Sequence, residues 1–170
     1  YRICAKEGRS ISRAENKLKE ALIKFNIKLD GKGIALDIGA APGGWTKVLI
    51  DYGYDVIAVD PGILHPMLQK HPKIKHYKCK IQELNLDNYF DIIVNDMNID
   101  PEITSNIMNT VALTLKENGL AIVTLKLPGN IEKKIERALE ILKGKYEIQN
   151  IKNLFHNRQE ITLFLKRNRD

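Results

Sequence analysis

Residues 34–60, "IALDIGAAPGGWTKVLIDYGYDVIAVD", confine the fold more than any other part of the chain. A short apolar run carrying Asp37 leads into a loop of small residues with one proline. A helix-length stretch headed by Trp45 follows, and then a second apolar run closed by Asp60. Two short strands separated by a helix imply a crossover connection and parallel pairing. The loop from Gly39 to Gly44 excludes bulky side chains, so the backbone there can come close to a ligand.

The same alternation continues. "ILHPMLQK" reads as a helix, "IKHYK" and "FDIIVND" as strands, the stretch from Pro101 to Gly119 as helical, and "LAIVTLKL" as a fifth strand ended by Pro128. "NIEKKIERALEILKG" puts Ile131, Ile135, Ala138, Leu139 and Leu142 on one helical face, with Gly144 as its stop. "YEIQNIKNL" and "EITLFLKR" are joined by a loop too short for a crossover, which permits antiparallel pairing. The expected fold class is therefore α/β, a doubly wound sheet of about seven strands, mostly parallel with an antiparallel last strand.

Ahead of the sheet, "SRAENKLKEALIKF" has Ser12 and Glu15 spaced as a capping box, with Ala14, Leu18, Ala21, Leu22 and Phe25 on one helical stripe. Arg13, Lys17, Lys19 and Lys24 are assigned to the opposite, solvated face, partly compensated by Glu15 and Glu20. Residues 1–32 are expected to supply this basic helix and residues 33–170 the sheet domain on which it packs, one compact domain in all.

A formal charge of +6 and a pI near 9.2 favour an anionic partner, nucleic acid ahead of a membrane surface. Two cysteines, Cys4 and Cys79, build neither a disulfide framework nor a four-cysteine metal site and suit a reducing cytoplasm. His65, His71, His76 and His156 lack ligand spacing, so no metal is expected and they read as surface or loop residues. No apolar run approaches the roughly 20 residues of a membrane span, and "YRICAKEGRS" lacks the core of a signal peptide. The expectation is a soluble, cytoplasmic, monomeric protein. The chain opens on Tyr1 rather than Met, which leaves room for a preceding segment or domain.

In doubly wound sheets the ligand sits outside the carboxyl ends of the strands, where strand order reverses, so the first strand-to-helix loop is the cofactor loop. "GAAPGG" departs from the dinucleotide fingerprint: Ala41 stands where close approach to a pyrophosphate needs glycine, and Pro42 removes a backbone donor. Asp60 nevertheless ends the second strand about 20 residues on, where a carboxylate accepts ribose hydroxyls. An adenosine cofactor without phosphates satisfies both observations, and S-adenosylmethionine is such a molecule. Either motif alone is compatible with a structural turn and a solvated aspartate; their pairing argues against it.

"SRAENKL", "LDIGAAPGGWT", "AVDPG", "VNDM", "LKLP" and "NRQEITLFL", in this order, resemble the FtsJ-type ribose 2'-O-methyltransferases. The resemblance runs from Ser12 to Lys166 and implies a Rossmann-like class I methyltransferase fold, S-adenosylmethionine as cofactor and RNA as substrate. "LKLP" and "LFHNRQEIT" look most like the catalytic half of the bacterial enzyme that methylates a cytidine ribose in large-subunit ribosomal RNA. That enzyme's N-terminal RNA-binding extension has no room in this chain.

The resemblance implies a catalytic tetrad of Lys17, Asp96, Lys126 and Glu160. It places the cofactor against Ser12, Asp37, the loop residues Gly39, Ala40, Ala41, Pro42, Gly43, Gly44 and Trp45, then Asp60 and Pro61, Lys80, Ile81 and Gln82, and Asp96. One position departs from the family, which has an acidic residue after the third strand to accept the adenine amino group; here Lys80 stands there, and a lysine only donates. Gln82, Glu83 or a backbone carbonyl is left for that contact. Ser12 matches a family position near the cofactor, although its capping box already gives it a structural task.

Methyl transfer to a ribose hydroxyl is an in-line displacement, so the site must align oxygen, methyl and sulfonium and remove one proton. Following the family, Lys126 is the general base, Asp96 and Glu160 orient the lysines, and Lys17 holds substrate. Competing readings are a methyltransferase of the same fold acting on tRNA, a small molecule or a protein, and a non-catalytic RNA-binding module. The tetrad argues against a non-RNA substrate, and the tetrad with the cofactor loop argues against the binding module.

Overall fold

The computed structural model describes residues 10–87, 89–127, 129, 132–154 and 159–169. Seven strands make one sheet: β1 (Ile34–Ile38), β2 (Asp55–Val59), β3 (Ile74–Tyr77), β4 (Phe90–Asn95), β5 (Leu115–Lys126), β6 (Tyr146–Lys152) and β7 (Glu160–Arg167). Their order is β3-β2-β1-β4-β5-β7-β6. Pairing is parallel from β3 across to β5, and β7 runs antiparallel to both β5 and β6. The doubly wound sheet with a reversed last strand is thus what forms, with β7 inserted between β5 and β6. The chain winds outward from β1 to β3 and returns to place β4 on the other side of β1, so the crevice lies at the carboxyl ends of β1 and β4.

Among the described residues, five α-helices cover the two faces: α1 (Ala14–Lys24), α2 (Gly44–Tyr52), α3 (Pro66–Gln69), α4 (Pro101–Val111) and α5 (Glu132–Lys143). Strand alternation divides the core. Ala35, Ile92, Val94 and Ile122 point toward α1, α2 and α3, where Leu18, Leu22, Trp45, Val48 and Leu68 meet them. Leu36, Ile38, Ile93, Val123 and Leu163 point the other way, toward Ile107 and Met108 of α4 and Ala138 and Leu142 of α5.

Several local expectations are corrected. The helix after Pro101 stops at Val111, and β5 already begins at Leu115 rather than Leu120. Leu115 is fully buried and pairs with Phe90, and a register shift between Phe90 and Ile92 absorbs the residues up to Gly119. "ILHPMLQK" shrinks to the single turn of α3, capped by His65 Nδ1, which accepts from the Met67 N–H; Pro72, three residues on, forbids a longer helix. His76 lies within β3, not in a loop, its Nε2 3.0 Å from the Asp60 carbonyl oxygen. Cys4, the strand stop at Pro128, Ile131 and His156 lie outside the described residues.

The Ser12–Glu15 capping box does not form, and the helix starts one residue later, with Arg13 at the N-cap position and no side-chain cap. The Glu15 carboxylate accepts from the Ile11 N–H at 2.8 Å, while the Ser12 hydroxyl has no hydrogen-bond partner among the described residues. Lys17 and Glu15 are buried, which removes both from the solvated face and leaves Arg13, Lys19 and Lys24 exposed there. Two contacts fasten the helix: the Trp45 indole N–H donates to the Ala14 carbonyl at 2.8 Å, and Lys152 Nζ donates to the Lys24 carbonyl at 2.8 Å. Leu18 is fully buried beneath it. Leu18→Ala is therefore expected to cost about 2–5 kcal/mol in urea denaturation with an unchanged m-value; a loss under about 1 kcal/mol would mark α1 as peripheral to the core.

Candidate active site

Strand parity assembles the site. On β5, residues 122, 124 and 126 share one face; on β4 and its extension 92, 94 and 96 do; on β7 it is 164, 162 and 160. Ile122, Ile92 and Val94 belong to the layer covered by α1, so Lys126, Asp96 and Glu160 emerge beneath that helix. β7 is antiparallel, so its first residue lies at the carboxyl edge of the parallel strands, and Glu160 pairs in register with Lys126. Lys17 reaches the same point from above.

The four side chains the sequence singled out are together. Lys17 Nζ donates to Asp96 Oδ1 and to Glu160 Oε1, both at 2.6 Å, and Lys126 Nζ donates to Glu160 Oε2. Glu160 is buried and gives one oxygen to each lysine. Lys17 has two carboxylate partners and a side chain only 10% exposed, whereas the Lys126 side chain is 25% exposed. The locked, enclosed cation is thus Lys17; Lys126 stands at the mouth. Thr124, which the sequence reading did not single out, donates its hydroxyl to Asp96 Oδ1 at 2.6 Å.

Beside the tetrad two hollows meet at Gly39. The first, a cleft of about 260 Å³, is lined by Ile38, Val59, Ile81, Met97 and Ile99 with Cys79, and by Asp60, Pro61, Lys80 and Gln82. It opens between apolar residues of the α4 side and suits a flat ring. The second is lined by Ser12, Ala14, Asp37, Ala40, Ala41, Pro42, Gly44, Trp45 and Asp96, on the α1 side. Gly39 has φ +72°, and a Cβ there would collide with the Met97 side chain. At Gly44 a Cβ would strike the Ser12 hydroxyl. Gly43 lines neither hollow and instead opens α2 at φ +116°.

Asp60 is held by two loops: Oδ2 accepts from the Ala41 N–H of the glycine loop at 3.1 Å and Oδ1 from the Gly62 N–H of its own loop at 2.6 Å. Asp37 is enclosed. Burial pushes its carboxyl up to about 7, aided by the negative charges of Asp96 and Asp60, against the lowering effect of the Thr46 hydroxyl, which donates to Oδ2 at 2.7 Å. Glu83, one of the candidates for reading an adenine, is occupied, since its carboxylate accepts from the Lys80 N–H at 2.7 Å. Gln82 lines the cleft.

Of the residues missed in the sequence, Met97 and Ile99 had only their position just past a strand end as a signal. Thr124 had a stronger one: a lone hydroxyl inside "AIVTL", two residues before Lys126 and so on the same face.

The model of the FtsJ-like methyltransferase family matches residues 10–158. An uncharacterized protein of Methanocaldococcus jannaschii is 34% identical over 168 residues, covering 94% of this chain and 47% of that protein. Ribosomal RNA large subunit methyltransferase M of Xylella fastidiosa is 33% identical over 172 residues, covering 92% of this chain and 47% of that protein. The chain spans about half the length of the curated relatives it matches. The fold is shared with a Burkholderia thailandensis 1,6-didemethyltoxoflavin-N1-methyltransferase solved with S-adenosylhomocysteine, at a TM-score of 0.69 and 16% identity, over 94% of this chain and 80% of that one.

The enclosure of Asp37 makes stability pH-dependent. Its carboxyl titrates higher in the folded chain than the ordinary 3.8, so the folded state holds the proton more tightly and stability falls as pH climbs from about 4 to about 7. In cofactor-free protein, Asp37→Asn should flatten that part of the profile and exceed the native chain in stability at pH 8, by an amount on the order of a few kcal/mol. Identical urea profiles at pH 5 and pH 8 for the two proteins would show that folding imposes no such penalty.

Proposed function

The chain belongs to the FtsJ-like methyltransferase family, and from that premise we propose that it moves a methyl group from S-adenosylmethionine to a ribose 2'-hydroxyl of RNA, with ribosomal RNA as the substrate. The single observation that carries the reading is the hydrogen-bonded set Lys17–Asp96–Glu160–Lys126 at the open edge of the sheet, directly beside the two hollows.

The hollows fit the cofactor. Ser12 Oγ, buried and without a partner among the described residues, gives the α1-side hollow a free donor or acceptor for an amino-acid tail. Asp37 and Asp96 line the same hollow and suit an ammonium group and a positively charged sulfur. Asp60 would accept the ribose hydroxyls with a carboxylate already oriented by two backbone donors. The apolar cleft would hold the adenine between Ile38 and Met97, with Gln82 offering its edge an acceptor and a donor together. Gly39, common to both hollows, is where the molecule would bend from one face of the sheet to the other.

S-adenosylmethionine supplies an electrophilic methyl group on a sulfonium. The chain's part is alignment and proton removal. Lys126, more exposed than Lys17 and held by one carboxylate, takes the 2'-hydroxyl proton. Lys17, held by two, remains a cation and fixes α1 to Asp96 and Glu160. Arg13, Lys19 and Lys24, exposed on α1, supply positive charge for RNA phosphates. Ribosomal RNA as the substrate is supported by the likeness to ribosomal RNA large subunit methyltransferase M.

Single-turnover transfer of a labelled methyl group to ribosomal RNA tests this. Lys126→Ala should keep cofactor and RNA affinity and lose about 10²–10⁴-fold in rate, the usual contribution of a positioned base. Lys126→Arg should be nearly as slow, because a guanidinium does not give up its proton at neutral pH. Near-native turnover in Lys126→Arg would make Lys126 an electrostatic group and move the proton elsewhere. Label appearing on bases rather than on ribose would refute the 2'-hydroxyl as acceptor.

A further inference from the structure

Thr124 is fully buried on β5 between Val123 and Leu125, in a run where an isosteric valine would pack without burying a hydroxyl. Its Oγ1 donates to Asp96 Oδ1 at 2.6 Å, the same oxygen that accepts from Lys17 Nζ at 2.6 Å. Two donors from two directions hold one oxygen, so rotation of the carboxylate about its last bond, otherwise soft, is stopped. Oδ2 accepts no hydrogen bond among the described residues, and Asp96 lines the α1-side hollow with 15% of its side chain exposed.

We infer that Thr124 is a positioning residue for recognition of the methyl donor: its hydroxyl pins Asp96 so that the second carboxylate oxygen faces the positive sulfur of S-adenosylmethionine. The inference rests on the cofactor assignment made above. The Lys17 ammonium sits on Oδ1, so a cation entering the hollow meets the other, oriented oxygen of the same carboxylate. The sulfonium and the thioether left after transfer differ in charge at that atom. A pinned Oδ2 therefore favours donor over product, and the preference ends when the methyl group has gone.

The test is calorimetric titration of S-adenosylmethionine and S-adenosylhomocysteine into the native chain, Thr124→Val, Thr124→Ser, Asp96→Asn and the Asp96→Asn/Thr124→Val double variant. Thr124→Val should weaken the sulfonium ligand by about 3–10-fold, the scale of one partly exposed charge contact, and the thioether by less than about 2-fold. Thr124→Ser, which keeps the hydroxyl, should restore both affinities. In the Asp96→Asn background the valine should add nothing, because its effect passes through the carboxylate. Should Thr124→Val fail to fold, Thr124→Ala compared with Thr124→Ser reads the same difference. Equal losses for the two ligands, an unchanged sulfonium affinity, or additive losses in the double variant would each overturn the inference while leaving the cofactor assignment intact. A native chain that binds neither ligand would remove that assignment and the inference together.

Discussion

Glu160 divides its two oxygens between lysines that stand 143 and 34 residues away in the chain, and the rest of the site depends on that sharing. Enclosing a carboxylate and an ammonium this thoroughly is costly, several kcal/mol per ion before their attraction is counted, so the cluster is poor evidence for stability. Its consequence is geometric. Helix α1 is set by apolar packing of Leu18, Ala21 and Leu22 and by the Trp45 indole on Ala14. Once it is set, Lys17 is delivered between Asp96 and Glu160, and Glu160 in turn holds Lys126.

Much of this was readable in the sequence because strands have a period of two. In "DIIVND", "AIVTLKL" and "EITLFL" that period puts Asp96 with Ile92 and Val94, Lys126 with Ile122 and Thr124, and Glu160 with Thr162 and Phe164, and a reversed last strand returns Glu160 to the same edge. The tight packing of the glycine loop was equally legible, since Gly39 and Gly44 are where a side chain has no space.

The helix was less so. Lys17 was assigned to the solvated face for its charge, yet it lies three residues from Ala14 and four from Ala21, on the flank of the apolar stripe. Periodicity contained that answer, and residue type obscured it. Ser12 and Glu15 have the spacing of a capping box, but the Glu15 carboxylate found the Ile11 N–H, and a hydroxyl that looked structural was left for the hollow. The early start of β5 had no local signal, because an irregular register against β4 is a property of the pair.

The insertion of β7 between β5 and β6 has a temporal consequence. The strand that supplies Glu160 is the last to leave the ribosome of all seven, and its slot is defined only after β5 and β6 exist. Until then Lys17 and Lys126 face each other without the carboxylate that joins them, and the sheet presents two unfilled edges. A contact spanning 143 residues forms late in any folding order that begins with local structure. A nascent or C-terminally clipped chain can already own the glycine loop, Asp37 and an Asp60 carboxylate held by two backbone donors, while the ion-paired cluster waits for the final strand.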